Sequence, residues 1–210
     1  MEYVPSPKTL NDILPEGAQG AFNCQLLIND IQIDSRLVSP GSLFVALKGT
    51  HQNGEMFISS AIENGAVAIV VDADSNADRR SSEVPVIKID HLREKLASMV
   101  ATFFESSSQN VSVYGVTGTN GKSTISSMIA QLETLSGRRG AVIGTLGYGV
   151  VGAALVDTGL TTPDVVSCHR LLAELREQGA TSIAMEVSSH AIDQGRVEGV
   201  PFSVGIISNV

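Results

Sequence analysis

The stretch that decides the reading is Val111-Ser112-Val113-Tyr114-Gly115-Val116-Thr117-Gly118-Thr119-Asn120-Gly121-Lys122-Ser123-Thr124. It opens as a short apolar run rich in β-branched residues, the pattern of a buried strand. It passes through a glycine-bearing turn to Lys122-Ser123. Ile125, Met128, Ile129, Leu132 and Leu135 then recur at the spacing of an amphipathic helix, which Gly137 and Gly140 close. Strand, glycine-rich turn, Lys-Ser and helix is the layout of a phosphate-binding loop. Glycines admit positive φ and close backbone approach, so successive N–H groups can converge on phosphate oxygens. The helix N-terminus adds the positive end of its dipole. In such a loop Lys122 bridges the terminal phosphates and the Ser123 hydroxyl ligates Mg²⁺. The strict pattern would place a glycine at 116, where this chain has Val116; the nearest glycines are Gly115 and Gly118. Only the second half of the general motif is matched. The plainer reading, a βα turn with an incidental Lys-Ser, is disfavoured by the strand and helix on either side.

Working outward, residues 141–144 read as a second strand. Residues 164–178 read as a helix capped by Asp164 after Pro163, and residues 183–187 and 202–207 as further strands. Upstream, residues 28–34, 43–47, 66–71 and 84–89 are strand candidates. Phe57, Ile58, Ala61 and Ile62 have helical spacing before an Asn64-Gly65 stop, and Leu92, Leu96, Met99, Val100 and Phe103 form a second helical stripe. The polar, serine-rich segment 105–110 marks a boundary. The fold class is α/β: a small N-terminal α/β domain over 1–104, then a mostly parallel-sheet, P-loop domain over 105–210. That second domain is expected to be interrupted, because the chain stops just after a buried strand.

Composition bounds the function. In a chain of 210 residues with 43% hydrophobic and 17% charged residues a real core is expected, not disorder. Fourteen Lys+Arg against 22 Asp+Glu leave a charge of −8, which argues against nonspecific binding to nucleic acid or an anionic membrane. Cys24 and Cys168 lie far apart and in no metal spacing. No signal peptide or transmembrane run is visible, so a cytoplasmic location is expected.

Residues 115–124 resemble the ATP loop of the Mur ligase family, whose shifted glycines account for Val116. Thr161-Thr162-Pro163, Met185-Glu186-Val187-Ser188-Ser189-His190 and Gln194-Gly195-Arg196-Val197 are similar to segments of the family branch that adds the third residue of the peptidoglycan peptide. Asp34-Ser35-Arg36, residues 40–47 and Gly49-Thr50-His51-Gln52-Asn53-Gly54 look like that branch's uridine-binding domain. The resemblance implies an ATP-dependent amide-bond ligase. ATP would phosphorylate the D-Glu carboxylate of UDP-N-acetylmuramoyl-L-alanyl-D-glutamate, and the amine of meso-diaminopimelate or L-lysine would attack the acyl phosphate. It implies that Gly118, Thr119, Asn120, Gly121, Lys122, Ser123 and Thr124 hold ATP. Lys122 and Glu186 would be catalytic, and Ser123 and Glu186 would ligate Mg²⁺. Ile33, Ser35, His51, Gln52, Asn53, Thr161, Thr162, Ser188, Gln194 and Arg196 would contact the nucleotide substrate, with His190 close to the metal. The family's second-metal lysine and its amino-acid-binding domain would lie beyond Val210, so the chain is expected to be an inactive fragment of the whole enzyme. Residue by residue, plainer roles compete. Glu186 could be a solvated strand end, Thr161 and Thr162 could shape a turn, and Ser188 and Ser189 could cap a helix. A serine hydrolase is disfavoured because no nucleophile elbow surrounds Ser188 or Ser189. Two alternatives stay open: a non-catalytic UDP-nucleotide-binding module, and another ligase of the Mur or folylpolyglutamate type.

Overall fold

The computed structural model describes residues 3–49, 53–77, 84–105 and 111–209. The chain divides into two compact units, Glu2–Phe103 and Phe104–Val210.

The first unit starts with β1 (Lys8–Thr9), α1 (Leu10–Ile13) and β2 (Leu27–Ile28), where β1 and β2 pair antiparallel. The short α1 is stabilised at its start by a reciprocal Thr9–Asp12 cap. A four-stranded parallel sheet follows, built from β3 (Asp30–Gln32), β4 (Ser42–Val45), β5 (Ala66–Asp72) and β6 (Val86–Ile89) in that order. The strand expected over 28–34 is broken up. The Asp34 carboxylate accepts from the Arg36 N–H at 2.9 Å and starts a 3₁₀ turn at Ser35–Leu37. Helix α2 (Ile58–Glu63) ends at Asn64 and Gly65, whose φ is +103°. Its Ala61 packs with Phe44, Ile69 and Val71. The expected stripe on α3 (Leu92–Phe104) is buried at all five positions.

The second unit is built on β7 (Ser112–Thr117), α4 (Lys122–Leu135), β8 (Gly140–Gly144), β9 (Gly147–Val150), α5 (Val165–Glu177), β10 (Ser182–Glu186), α6 (Ser189–Asp193) and β11 (Phe202–Ile207). The sheet order is β11-β7-β10-β8-β9. All neighbours are parallel except β8 and β9, which form an antiparallel hairpin across the two-residue turn Thr145-Leu146. The sequence pattern shows neither β9 nor α6.

Helix α5 covers one face of this sheet. Leu171, Leu172 and Leu175 pack with Val113, Ala141, Ile143, Ile183 and Met185. Side chains alternate along a strand, so Ser182, Ala184 and Glu186 point to the other face, where α4 lies against β8 and β10. The face that α4 buries differs from the expected stripe. Met128, Leu132 and Leu135 are exposed, and the buried positions are the small residues Ser126 and Ala130. The reason is close approach. A Cβ on Gly140 would run into the Ala130 carbonyl and the Thr134 hydroxyl. Small residues let α4 sit down on the sheet, and that seats its N-terminus at the carboxyl edge of β7.

Candidate functional site

The phosphate loop runs from the end of β7 into α4. Gly118 has φ +130° and Gly121 has φ +83° at the helix N-cap, both in regions that favour glycine. Gly115 does something else. It lies inside β7, and a Cβ there would stand 2.8 Å from the Phe202 ring. The shift of the glycine pattern thus has a packing cause: Gly115 makes room for an aromatic ring, and the loop itself uses only Gly118 and Gly121.

The loop's N–H groups converge. Thr119 and Asn120 both donate to the Asn209 carboxamide oxygen, at 2.8 and 3.1 Å. One oxygen accepting from two successive loop amides occupies the place an anion's oxygen takes in such a nest. Ser208 braces the same loop. Its N–H donates to the Thr117 carbonyl at 2.8 Å, and its hydroxyl donates to the Asn120 carbonyl at 2.6 Å. The Lys122 ammonium donates to the Gly118 and Thr119 carbonyls at 2.7 and 3.3 Å, so its charge stays folded over the loop. Ser123 sits in the first helical turn, half-buried, and Thr124 is exposed.

Glu186 ends β10, the strand beside β7, in register with Val116. It is therefore not a solvated strand end: it is 2% exposed. The Thr145 N–H donates to Oε1 at 3.0 Å, and the Thr145 hydroxyl lies 3.1 Å from Oε2. That hydroxyl is also 3.0 Å from the Thr161 hydroxyl. A carboxylate only accepts, and a hydroxyl carries one proton. The Thr145 hydroxyl is the donor toward both Glu186 Oε2 and the Thr161 hydroxyl, so its one proton serves one of them at a time. Gly144 leaves the carboxylate its room, since a Cβ at 144 would occupy it.

The remaining candidates cluster around Thr162. Its buried hydroxyl donates to the Glu186 carbonyl at 2.9 Å and accepts from the Ser188 N–H at 3.1 Å. Its carbonyl accepts from Arg196 Nη1 at 3.0 Å. Arg196 is held in turn by the Gln194 side-chain oxygen, at 2.9 and 2.6 Å. The Ser188 side chain caps α6, accepting from the Ala191 N–H at 3.2 Å. His190 is exposed on α6. The segment carrying Gln194 and Arg196 is anchored from beneath by His169, fully buried on α5, whose Nε2 is 2.9 Å from the Glu198 carbonyl. Burial lowers the His169 pKa, which favours the neutral ring.

In the first unit, Ser35 is buried and opens the 3₁₀ turn, and Ile33 is half-buried beside it. The Asn53 side chain accepts from the Glu55 N–H at 3.1 Å and caps a second 3₁₀ turn. His51 and Gln52 lie outside the described residues.

The fold and this loop define a Mur-type α/β protein. The Mur ligase middle domain matches residues 116–210, and the Mur ligase family catalytic domain matches residues 27–104. The chain belongs to the Mur ligase family. It is 39% identical over 204 residues to the UDP-N-acetylmuramoyl-L-alanyl-D-glutamate--2,6-diaminopimelate ligase of Ectopseudomonas mendocina, covering 97% of this chain and 41% of that protein. It is 42% identical over 201 residues to the enzyme of the same name from Xanthomonas oryzae pv. oryzae, covering 96% of this chain and 40% of that one. A solved structure bearing that enzyme name superposes with a TM-score of 0.78 at 26% identity, over 97% of this chain and 40% of the other. The chain thus spans about two-fifths of the length of the curated relatives it matches.

The donor set fits magnesium. Among the described residues no three His, Cys, Asp or Glu form a metal-holding group. A cation here would rest on one buried carboxylate, one hydroxyl and the oxygens of a bound phosphate. Mg²⁺ is typically held that way, by one or two carboxylates plus phosphate oxygens.

The motif reading missed four positions: Gly144, Thr145, Ser208 and Asn209. One signal was available for the last two. A polar Ser-Asn pair directly after an apolar strand falls on the carboxyl edge where parallel sheets bind ligands.

Proposed function

We propose that this chain is the nucleotide-handling part of an ATP-dependent ligase of peptidoglycan precursor synthesis, acting in the cytoplasm. The carboxylate substrate would be UDP-N-acetylmuramoyl-L-alanyl-D-glutamate. The amine would be 2,6-diaminopimelate, the amino acid in the names of its relatives, and not L-lysine. The observation that carries this reading is the convergence of two loop amides on a single acceptor oxygen, with Lys122 folded over the loop and the clamped Glu186 on the adjacent strand.

The division of labour follows from the side chains. The N–H groups of Thr119 and Asn120 take phosphate oxygens in exchange for the Asn209 carboxamide. Lys122 needs only a side-chain rotation to exchange two carbonyls for a terminal phosphate. Ser123 and Glu186 hold Mg²⁺, which, when bound, offsets the charge that builds up on the transferring phosphoryl group. Thr161, whose oxygen accepts from Thr145, keeps its own hydroxyl proton for an acceptor on the muramoyl dipeptide. Arg196, oriented by Gln194, supplies the cation for its carboxylates. Ser188 and Thr162 set the backbone between these groups. Ile33, Ser35, His51, Gln52 and Asn53 form the uridine end in the first unit. This chemistry asks for charge stabilisation and positioning, and no residue forms a covalent intermediate.

Titration calorimetry tests the reading. The chain should bind ADP more tightly with Mg²⁺ than with EDTA, and should bind UDP-N-acetylmuramoyl-L-alanyl-D-glutamate. Lys122→Ala should weaken ADP by about 10- to 100-fold, the worth of a charged hydrogen bond, and leave the UDP ligand unaffected. Failure of the unsubstituted chain to bind ADP would overturn the proposal.

A further inference from the structure

Glu186 is held by a residue that belongs to none of the recognised motifs. Thr145 is the first residue of the β8–β9 turn, and it grips both carboxylate oxygens, one through its backbone N–H at 3.0 Å and one through its hydroxyl at 3.1 Å. A carboxylate on a rotatable side chain has many orientations. Two donors from one residue leave it one. Each oxygen keeps a lone-pair direction that points away from Thr145. Gly144 completes the arrangement by being absent from the space the carboxylate occupies. The same hydroxyl is also aimed at the Thr161 hydroxyl oxygen, 3.0 Å away. One side chain thus contacts both the carboxylate and the Thr161 hydroxyl.

We propose that Thr145 is a positioning residue: it fixes the Glu186 carboxylate in the orientation that accepts Mg²⁺ bound with a nucleotide. This rests on the nucleotide and Mg²⁺ reading given above. Thr145 itself touches neither ligand. Its loss should therefore act on metal-dependent binding and spare nucleotide binding as such. A purely structural role would lower both together.

The experiment is ADP titration calorimetry on the full 210-residue chain, with Mg²⁺ and with EDTA, for wild type, Thr145→Val and Thr145→Ser. Valine keeps the shape and the backbone N–H but removes the hydroxyl; serine restores it. Thr145→Val should cut the magnesium-dependent gain in ADP affinity by about 10-fold, the lower end of what loss of an outer-sphere partner costs. Affinity in EDTA should stay within about twofold, and Thr145→Ser should recover most of the gain. Melting curves show whether each variant is folded; if Thr145→Val is not, Thr145→Ala is read in its place. A gain retained in the valine variant overturns this inference alone. So does an equal loss with Mg²⁺ and with EDTA. A wild-type chain that binds ADP equally with Mg²⁺ and EDTA overturns the metal reading, and this inference falls with it.

Discussion

Replacing Gly118 by alanine perturbs the phosphate loop in two ways that can be separated. Its φ of +130° is a region that L side chains adopt at a cost of roughly 1–3 kcal/mol. The added Cβ would also collide with the Ser208 hydroxyl, and would lie 2.8 Å from the Asn209 carbonyl oxygen and 3.0 Å from the Asn209 nitrogen. Those are backbone atoms, so they cannot rotate away. The Ser208 hydroxyl would have to give up its bond to the Asn120 carbonyl, worth about 1 kcal/mol. Together this makes about 3 kcal/mol, or about 9 °C of melting temperature at roughly 3 °C per kcal/mol for a chain of this size. Gly121 is the control. Its φ is +83°, but the nearest atom to an added Cβ is Ile125 Cδ1 at 3.8 Å. Gly121→Ala should cost only the left-handed conformation, about 1 kcal/mol or about 3 °C. Differential scanning calorimetry of the two variants gives the comparison. In the double variant Gly118→Ala/Ser208→Ala part of the loss should return, because the hydroxyl is gone while the Asn209 backbone remains. Equal melting of the two single variants, or a larger loss for Gly121→Ala, would refute the reasoning.

Three further outcomes are expected. Gly144→Ala should push the Glu186 carboxylate from its place and reduce the magnesium-dependent gain in ADP affinity by about 10-fold, measured by titration calorimetry. Asp164 accepts from the Val166 and Ser167 N–H groups at the start of α5, at 2.9 and 3.0 Å, so Asp164→Ala should cost about 1 kcal/mol in urea unfolding. His169 has a folded pKa below its ordinary value because burial disfavours the imidazolium. The unfolded chain therefore binds more protons as pH falls below about 6.5. The stabilisation is full above that value and is lost toward the folded pKa, with a limiting slope of about 1.4 kcal/mol per pH unit. Urea midpoints between pH 7 and pH 5 should fall less steeply for His169→Gln than for the wild type.

Much of the architecture follows from local pattern. The strands β5, β7, β10 and β11 and the helices α3 and α5 fall where apolar period, capping residue and glycine stop place them. Strand β9 escaped because Gly147-Tyr148-Gly149 carries the composition of a turn. It is a strand only because it pairs with β8, Ala141 opposite Val150 and Ile143 opposite Tyr148. Helix α4 shows the limit of periodicity. The pattern of Met128, Leu132 and Leu135 correctly announces a helix, yet these side chains are exposed. Which stripe is buried depends on how near the sheet can come, and Gly140 brings it against Ala130.

By itself the sequence determined the strand–loop–helix unit, the position of Lys122 and Ser123, and the family. Those rest on neighbouring residues, whose chemistry is read in order along the chain. Only the tertiary structure decided what completes the site. Asn209 comes to Thr119 across 90 residues, and Thr145 to Glu186 across 41. Parallel strands line up the carboxyl ends of segments that are remote in sequence, and side chains at that edge meet by register. No local spacing encodes such meetings, because they depend on the order in which strands lie in the sheet.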